Sequence, residues 1–213
     1  MKKILPIVAS VFLLGAHQPQ QAAMSFFITS VGSADGANLG GLAGADRHCQ
    51  ALAEAAGSRG LTWRAYLSAV SKDGAAVVHA KDRIGSGPWY NAKGVKVADN
   101  VADLHSDNNK LSKDNSLTEK GAMVNGRGDT PNMHDIITGS NLDGTAYVAE
   151  GYTNCDNWTA NGEGSVRVGH HDRQGGGENA TSWNSAHASR GCSQANLQSS
   201  GGNGLFYCFG MAG

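Results

Sequence analysis

Apolar positions along this chain fall into short clusters separated by long polar, glycine-rich stretches. The run "SFFITSV" at 25–31 is aromatic and β-branched and predicts a strand. Within "GADRHCQALAEAAG", Ala45, Cys49, Leu52, Ala53 and Ala56 recur at helical spacing and define one apolar face. Asp46 then falls in the first helical turn, where it suits the helix dipole, and Gly57 stands where a C-terminal cap belongs. Cys49 is expected to point inward, with His48 at the edge of that face. In "TWRAYLSAV" at 62–70, Trp63, Ala65 and Leu67 alternate with Arg64, Tyr66 and Ser68, the pattern of a half-buried strand. Residues 99–134 are rich in Asn, Asp and Gly and hold too few apolar residues for a core of their own. They predict long loops with short elements. "TAYVAEGY" and "GLFYCF" are further strand candidates, and 161–182 and 199–204 are glycine-rich connections. The pattern as a whole predicts an α+β fold in one loop-rich domain.

The N-terminus changes the picture. Lys2 and Lys3 precede a largely apolar run from Ile4 to Leu14, too short to span a bilayer and typical of a secretory leader. Small residues near Ala22 and Ala23 mark the expected cleavage region, so residues 1–23 are read as a signal peptide and 24–213 as the exported domain. Cleavage removes two lysines and shifts the formal net charge from −1 to −3. That near-neutral balance argues against nucleic acid as a bulk electrostatic partner. No later segment approaches the ~20 apolar residues of a membrane span. The address expected is periplasmic or extracellular. Glycine supplies 30 of 213 residues, about twice its usual ~7% share, which fits turns and loops and not a helix bundle.

Four cysteines, Cys49, Cys155, Cys192 and Cys208, in an exported chain predict two disulfides. A cysteine zinc site does not fit, because no two of them lie two to four residues apart. Arithmetic alone leaves three pairings open.

Three stretches taken in order carry a resemblance. They are "GLAGADRHCQALAEAAGSRGLTWRAYLSAV" at 41–70, "ITGSNLDGTAYVAEGYTNCDNWTANGEGS" at 137–165 and "RGCSQANLQSSGGNGLFYCF" at 190–209. Together they resemble the endostatin-like domains, a branch of the C-type-lectin-like fold, and are similar to bacterial secreted proteins of that type, some of which are labelled lectins. The likeness spans most of 25–209. It implies nested bonds, Cys49 with Cys208 and Cys155 with Cys192. It does not bring the calcium-dependent sugar site with it. That site uses a Glu-Pro-Asn or Gln-Pro-Asp triplet and a Trp-Asn-Asp triplet, whereas here no such proline triplet occurs and Ser185 follows Trp183-Asn184. Calcium wants carboxylates among several oxygen ligands, so its motif is incomplete; no cofactor is expected, with calcium the one alternative left open. The arginine clusters and N-terminal zinc histidines of animal endostatins are unmatched as well.

The densest candidate chemistry lies between the second and third cysteines. "VGHHDRQGGGENATSWNSAH" gathers His170, His171, Asp172, Trp183, Asn184 and His187. A flat aromatic face beside planar hydrogen-bonding groups suits a sugar ligand. The competing reading has Trp183 filling the core beneath the loop and the histidines capping turns. His170 or His171 with Asp172 and His187 also has the ligand types of a metal site, though not a diagnostic spacing. Trp158, close to Cys155, is expected in the core with Trp63 and Trp89. "RGD" at 127–129 is read as a chance tripeptide. There is no G-x-S-x-G, H-E-x-x-H or P-loop pattern. His134-Asp135 reads either as a general-base pair or as a turn before a strand. The leading expectation is a non-enzymatic binding module for carbohydrate or another extracellular surface ligand. The alternatives are an adhesin for host or matrix proteins and a polymer-acting hydrolase using His170, Asp172 or His134.

Overall fold

The computed structural model describes residues 23–150 and 152–212. The expected leader therefore lies, save for Ala23, outside the described residues. In chain order the elements are β1 (Phe26–Ile28), α1 (Gly41–Ala55), β2 (Leu61–Ala65), a 3-10 turn (Ala80–Arg83), β3 (Trp89–Tyr90), β4 (Lys96–Ala98), α2 (Val101–Leu104), β5 (Asp135–Ile137), α3 (Asn154–Trp158), β6 (Arg167–His170), β7 (His187–Ala188), α4 (Gln194–Ser200) and β8 (Tyr207–Ala212). No helix among the described residues is long and apolar enough to cross a membrane.

The last strand organises the first sheet. β8 pairs antiparallel with β1 on one side and β2 on the other, with Cys208 opposite both Phe27 and Ala65. Successive side chains of a strand face opposite ways. Phe27, Phe206 and Cys208 therefore meet Trp63, Ala65 and the buried face of α1, while Phe26, Tyr207 and Phe209 meet Tyr66, Trp89 and Trp183. Both faces of this sheet are covered. β3 and β4 form a hairpin, and a second three-stranded sheet runs β5-β6-β7. The result is a mixed α+β domain closed by two disulfides.

The bonds are nested: Cys49 joins Cys208 and Cys155 joins Cys192. The outer bond ties α1 to the final strand across a separation of 159 residues, a loop whose closure is worth roughly 4–5 kcal/mol in the chain-entropy account. Helix α1 ends in a Schellman arrangement, with Gly57 N–H donating to Glu54 O and Ser58 N–H to Ala53 O. Three sequence expectations for this region need correction. Ala56 is exposed. Asp46 is not in the first turn but buried, where its carboxylate binds Arg64 and Arg83. The alternation in 62–70 holds only to Ala65, after which Tyr66 to Ala69 are all buried.

Two strand readings also change. "TAYVAEGY" contributes only one isolated bridge, Ser140 to Ala146. Conversely, the supposed connection 161–182 contains β6, whose four residues are all buried. Stretch 99–134 is loop with one short helix, as its composition predicts.

The "CDNW" unit is a left-handed turn: Asn154, Cys155, Asp156, Asn157 and Trp158 all have φ between 49° and 71°. Left-handed helix costs L-residues about 1–2 kcal/mol each, so neighbouring bonds must hold it. They are present. Trp158 Nε1 and Asn154 Nδ2 both donate to Ser68 O, while Asn157 donates to Val70 O and accepts from Val70 N–H. Trp158, Trp63 and Trp89 are core residues, as expected.

Candidate functional site

The second sheet brings together residues far apart in sequence. Antiparallel register sets Asp135 of β5 directly opposite His170 of β6. Directly opposed residues share one face, with Cβ atoms ~5 Å apart. His187 of β7 pairs with Val168, two residues from His170, and so joins that face. His134, just before β5, lays its ring flat on His170, with centroids 4.3 Å apart and planes at 8°. Three imidazole nitrogens converge on one oxygen: Asp135 Oδ1 lies 3.2 Å from His134 Nε2, 3.3 Å from His170 Nε2 and 3.5 Å from His187 Nε2. His134, Asp135 and His170 are buried and His187 is half-buried.

The other nitrogen of each ring is spoken for. His170 Nδ1 lies 2.6 Å from Ala180 O, His187 Nδ1 3.0 Å from Ala188 O, and His134 Nδ1 3.3 Å from Asp172 Oδ1. A carbonyl or an ionised carboxylate oxygen only accepts, so each Nδ1 must carry the proton. In the neutral rings each Nε2 then presents a lone pair. Four acceptors thus face one another with no donor among them. Both Asp135 oxygens and His170 Nε2 are buried without a hydrogen-bond partner. Burial pushes the Asp135 carboxyl up, but a ring that takes a second proton becomes a donor and a positive charge beside it, and that interaction with His170, His187 and His134 outweighs burial and holds the group below its ordinary range. Asp135 in turn raises the His187 pKa. Burial also works against Asp172, yet His134 and the backbone N–H groups of Arg127 and Gln174 keep its carboxyl far below the usual value.

A cavity of about 440 Å³ opens over this cluster. His134, His170 and His187 form its floor, while Arg127, Asn132 and Arg190 line its sides. Arg127 and Arg190 are exposed and have no acidic side-chain partner among the described residues. The backbone must pass very close here: Gly175, at φ +145°, would carry a Cβ only 2.5 Å from His170 Cε1. Gly177, at φ +100°, likewise comes close to His187, so the glycine run closes onto the imidazoles.

The candidates named from sequence separate into three places. His170 and His187 belong to this cluster. Asp172 orients His134 from behind, and buried His171 points away, with Nε2 3.1 Å from Asn125 O and its pKa lowered by burial. The metal grouping of His170 or His171 with Asp172 and His187 is therefore not the one assembled, since Asp135 and His134 stand in it instead. Trp183 and Asn184 line a different cavity, of about 290 Å³. Trp183 is 3% exposed and packs on Tyr66 and Tyr207 at ring distances of 4.8 and 5.2 Å. It is core and not a stacking platform. Asn184 is buried too, donating to Tyr66 OH and Asn141 O. In the Arg-Gly-Asp turn, Asp129 is tied to Lys113 and to Gly126 N–H.

Compared with known proteins, the chain matches no family model and no curated protein.

Proposed function

We propose that this is an exported, lectin-like binding module of C-type-lectin-like fold, and that it takes an acidic saccharide in the cavity above the histidine cluster. The observation that carries this reading is the pair of unpaired guanidiniums, Arg127 and Arg190, flanking a polar cavity of about 440 Å³. Guanidinium groups bind carboxylate or sulfate through paired, charge-assisted hydrogen bonds, and Asn132, His187 and Ser200 add planar and hydroxyl partners for sugar hydroxyls. The loop closed by Cys155–Cys192 supplies His170, Gly176, Gly177, His187, Ala188 and Arg190 to this wall, so the disulfide holds one side of the cavity in place. Two disulfides agree with export.

A glycan array probed with the mature protein tests the reading. Retention of uronic-acid or sulfated glycans, lost in Arg127→Ala and Arg190→Ala, is the expected result. Equal retention by both variants rejects this cavity. Release of shortened glycans would replace the binding module by the hydrolase alternative.

A further inference from the structure

We infer that His134, Asp135, His170 and His187 form a binding site for a divalent transition ion of the zinc type. The case is one of missing donors. Three Nε2 lone pairs and a carboxylate oxygen converge in a buried space, each ring fixed in its tautomer by the partner of its Nδ1. Buried polar groups normally find partners, and leaving them without one is costly. A proton on one ring supplies one donor and leaves the other Nε2 lone pairs still facing Asp135. A cation answers all four acceptors together.

The distances fit an ion as well. Bonds of about 2.0–2.1 Å in a tetrahedron put neighbouring ligand atoms ~3.4 Å apart. The nitrogens stand 3.2, 3.3 and 3.5 Å from Asp135 Oδ1. Ligand atoms of His134, Asp135 and His170 all lie within 4.8 Å of one another. Stacked parallel rings cannot both aim in-plane at one ion, so the His134 ring tilts from its stack on binding. His187 Nε2 lies 3.5 Å from Asp135 Oδ1 but stands outside that three-residue group, so its half-buried ring shifts inward to take the fourth position. Imidazole-rich donors with one carboxylate select zinc-like ions over calcium or magnesium, which prefer all-oxygen shells. Backbone carbonyls and Asp172 behind the rings are the outer partners that metal-binding histidines use to fix orientation. The cavity gives the ion a route from solvent.

The test uses the mature protein stripped with chelator and titrated with Zn²⁺ alone, followed by calorimetry, with no glycan present. The outcome is thus independent of the saccharide reading. One ion per chain is expected. Asp135→Asn and His187→Ala should each weaken binding by more than ~100-fold, since losing even an outer partner costs about 10–100-fold. His187 is half-exposed, so its alanine variant keeps the test valid where Asp135→Asn disturbs folding. Asp172→Asn should cost about 10–100-fold while keeping the one-to-one ratio. Absence of Zn²⁺ binding to the wild type, or binding that His187→Ala leaves unchanged, overturns the site.

Discussion

Asp46 and Asp135 are both buried aspartates in the same domain, and they are equipped in opposite ways. Asp46 Oδ1 accepts from Ala65 N–H and Arg83, and Oδ2 accepts from Arg64 and Arg83, all within 2.7–2.9 Å. Its charge is matched and its lone pairs are filled. It clamps α1 to β2 and to the 3-10 turn. Asp135 has three imidazoles around it and no donor directed at it. A satisfied buried charge is architecture, whereas an unsatisfied one held rigidly by a sheet marks a place for something else to bind. The same contrast separates His105 from His170. Each sets Nδ1 against a backbone carbonyl, but His105 Nε2 receives the Tyr66 hydroxyl at 2.7 Å while His170 Nε2 receives nothing.

The largest effects should fall on the satisfied side. Asp46→Ala leaves Arg83, its side chain only 11% exposed, beside no counter-charge, and breaking such a pair costs about 3–5 kcal/mol. Chemical denaturation should show that loss, and an unchanged midpoint would remove the clamp from the account. Trp183→Ala should cost a similar ~3–5 kcal/mol, as a truncated core indole does. Lost glycan retention with full stability in that variant would restore the stacking platform.

On the unsatisfied side the sign reverses. In metal-free buffer at alkaline pH, Asp135→Asn removes a charge that lacks donors and supplies an amide that donates toward the Nε2 lone pairs. The variant should be as stable as the wild type or gain about 1–3 kcal/mol. Added Zn²⁺ should raise the melting temperature of the wild type and leave the variant where it was, because only the native wild type binds the ion. Destabilisation of the metal-free variant by as much as Asp46→Ala would show that the two aspartates do the same job.

How much of this was legible beforehand follows from the range of the interactions. Helix α1 carries its own periodicity, and the runs around Phe26 and Tyr207 are dense in aromatic residues, so local pattern predicts them. The nested disulfides came from a resemblance, since spacing left three pairings open. Strand β6 escaped because all four of its residues are buried, which erases alternation, and because glycines surround it. At "TAYVAEGY" the reverse holds: β-propensity predicts a strand, but Val148 is 66% exposed and no partner strand is there to pair with it. The site was half visible. His170 and His187 stood out in a dense local cluster, but Asp135 joins them only through the β5–β6 register, across 35 positions. In the sequence His134-Asp135 fits both a general-base pair and a turn before a strand. Nothing local distinguishes the two.

The smallest predicted effect tests the satisfied histidine. Burial lowers the His105 pKa from its ordinary 6.5, and the proton it holds on Nδ1 goes to Val101 O. The folded chain therefore resists a proton that the unfolded chain accepts. The contribution of His105 to stability is full above the unfolded value and is lost as pH falls below about 6.5 toward the folded value. One proton limits the slope to about 1.4 kcal/mol per pH unit. His105→Gln keeps an acceptor near the Tyr66 hydroxyl and does not titrate, so its acid limb should be flatter. Urea unfolding of both proteins through this window measures the difference directly, and any effect of His171, whose pKa burial also lowers, cancels between them. Superimposable limbs would mean that His105 takes up its proton in the fold as readily as in the open chain. In that case burial does not hold the ring neutral, and the contrast with His170 fails at its better-satisfied end.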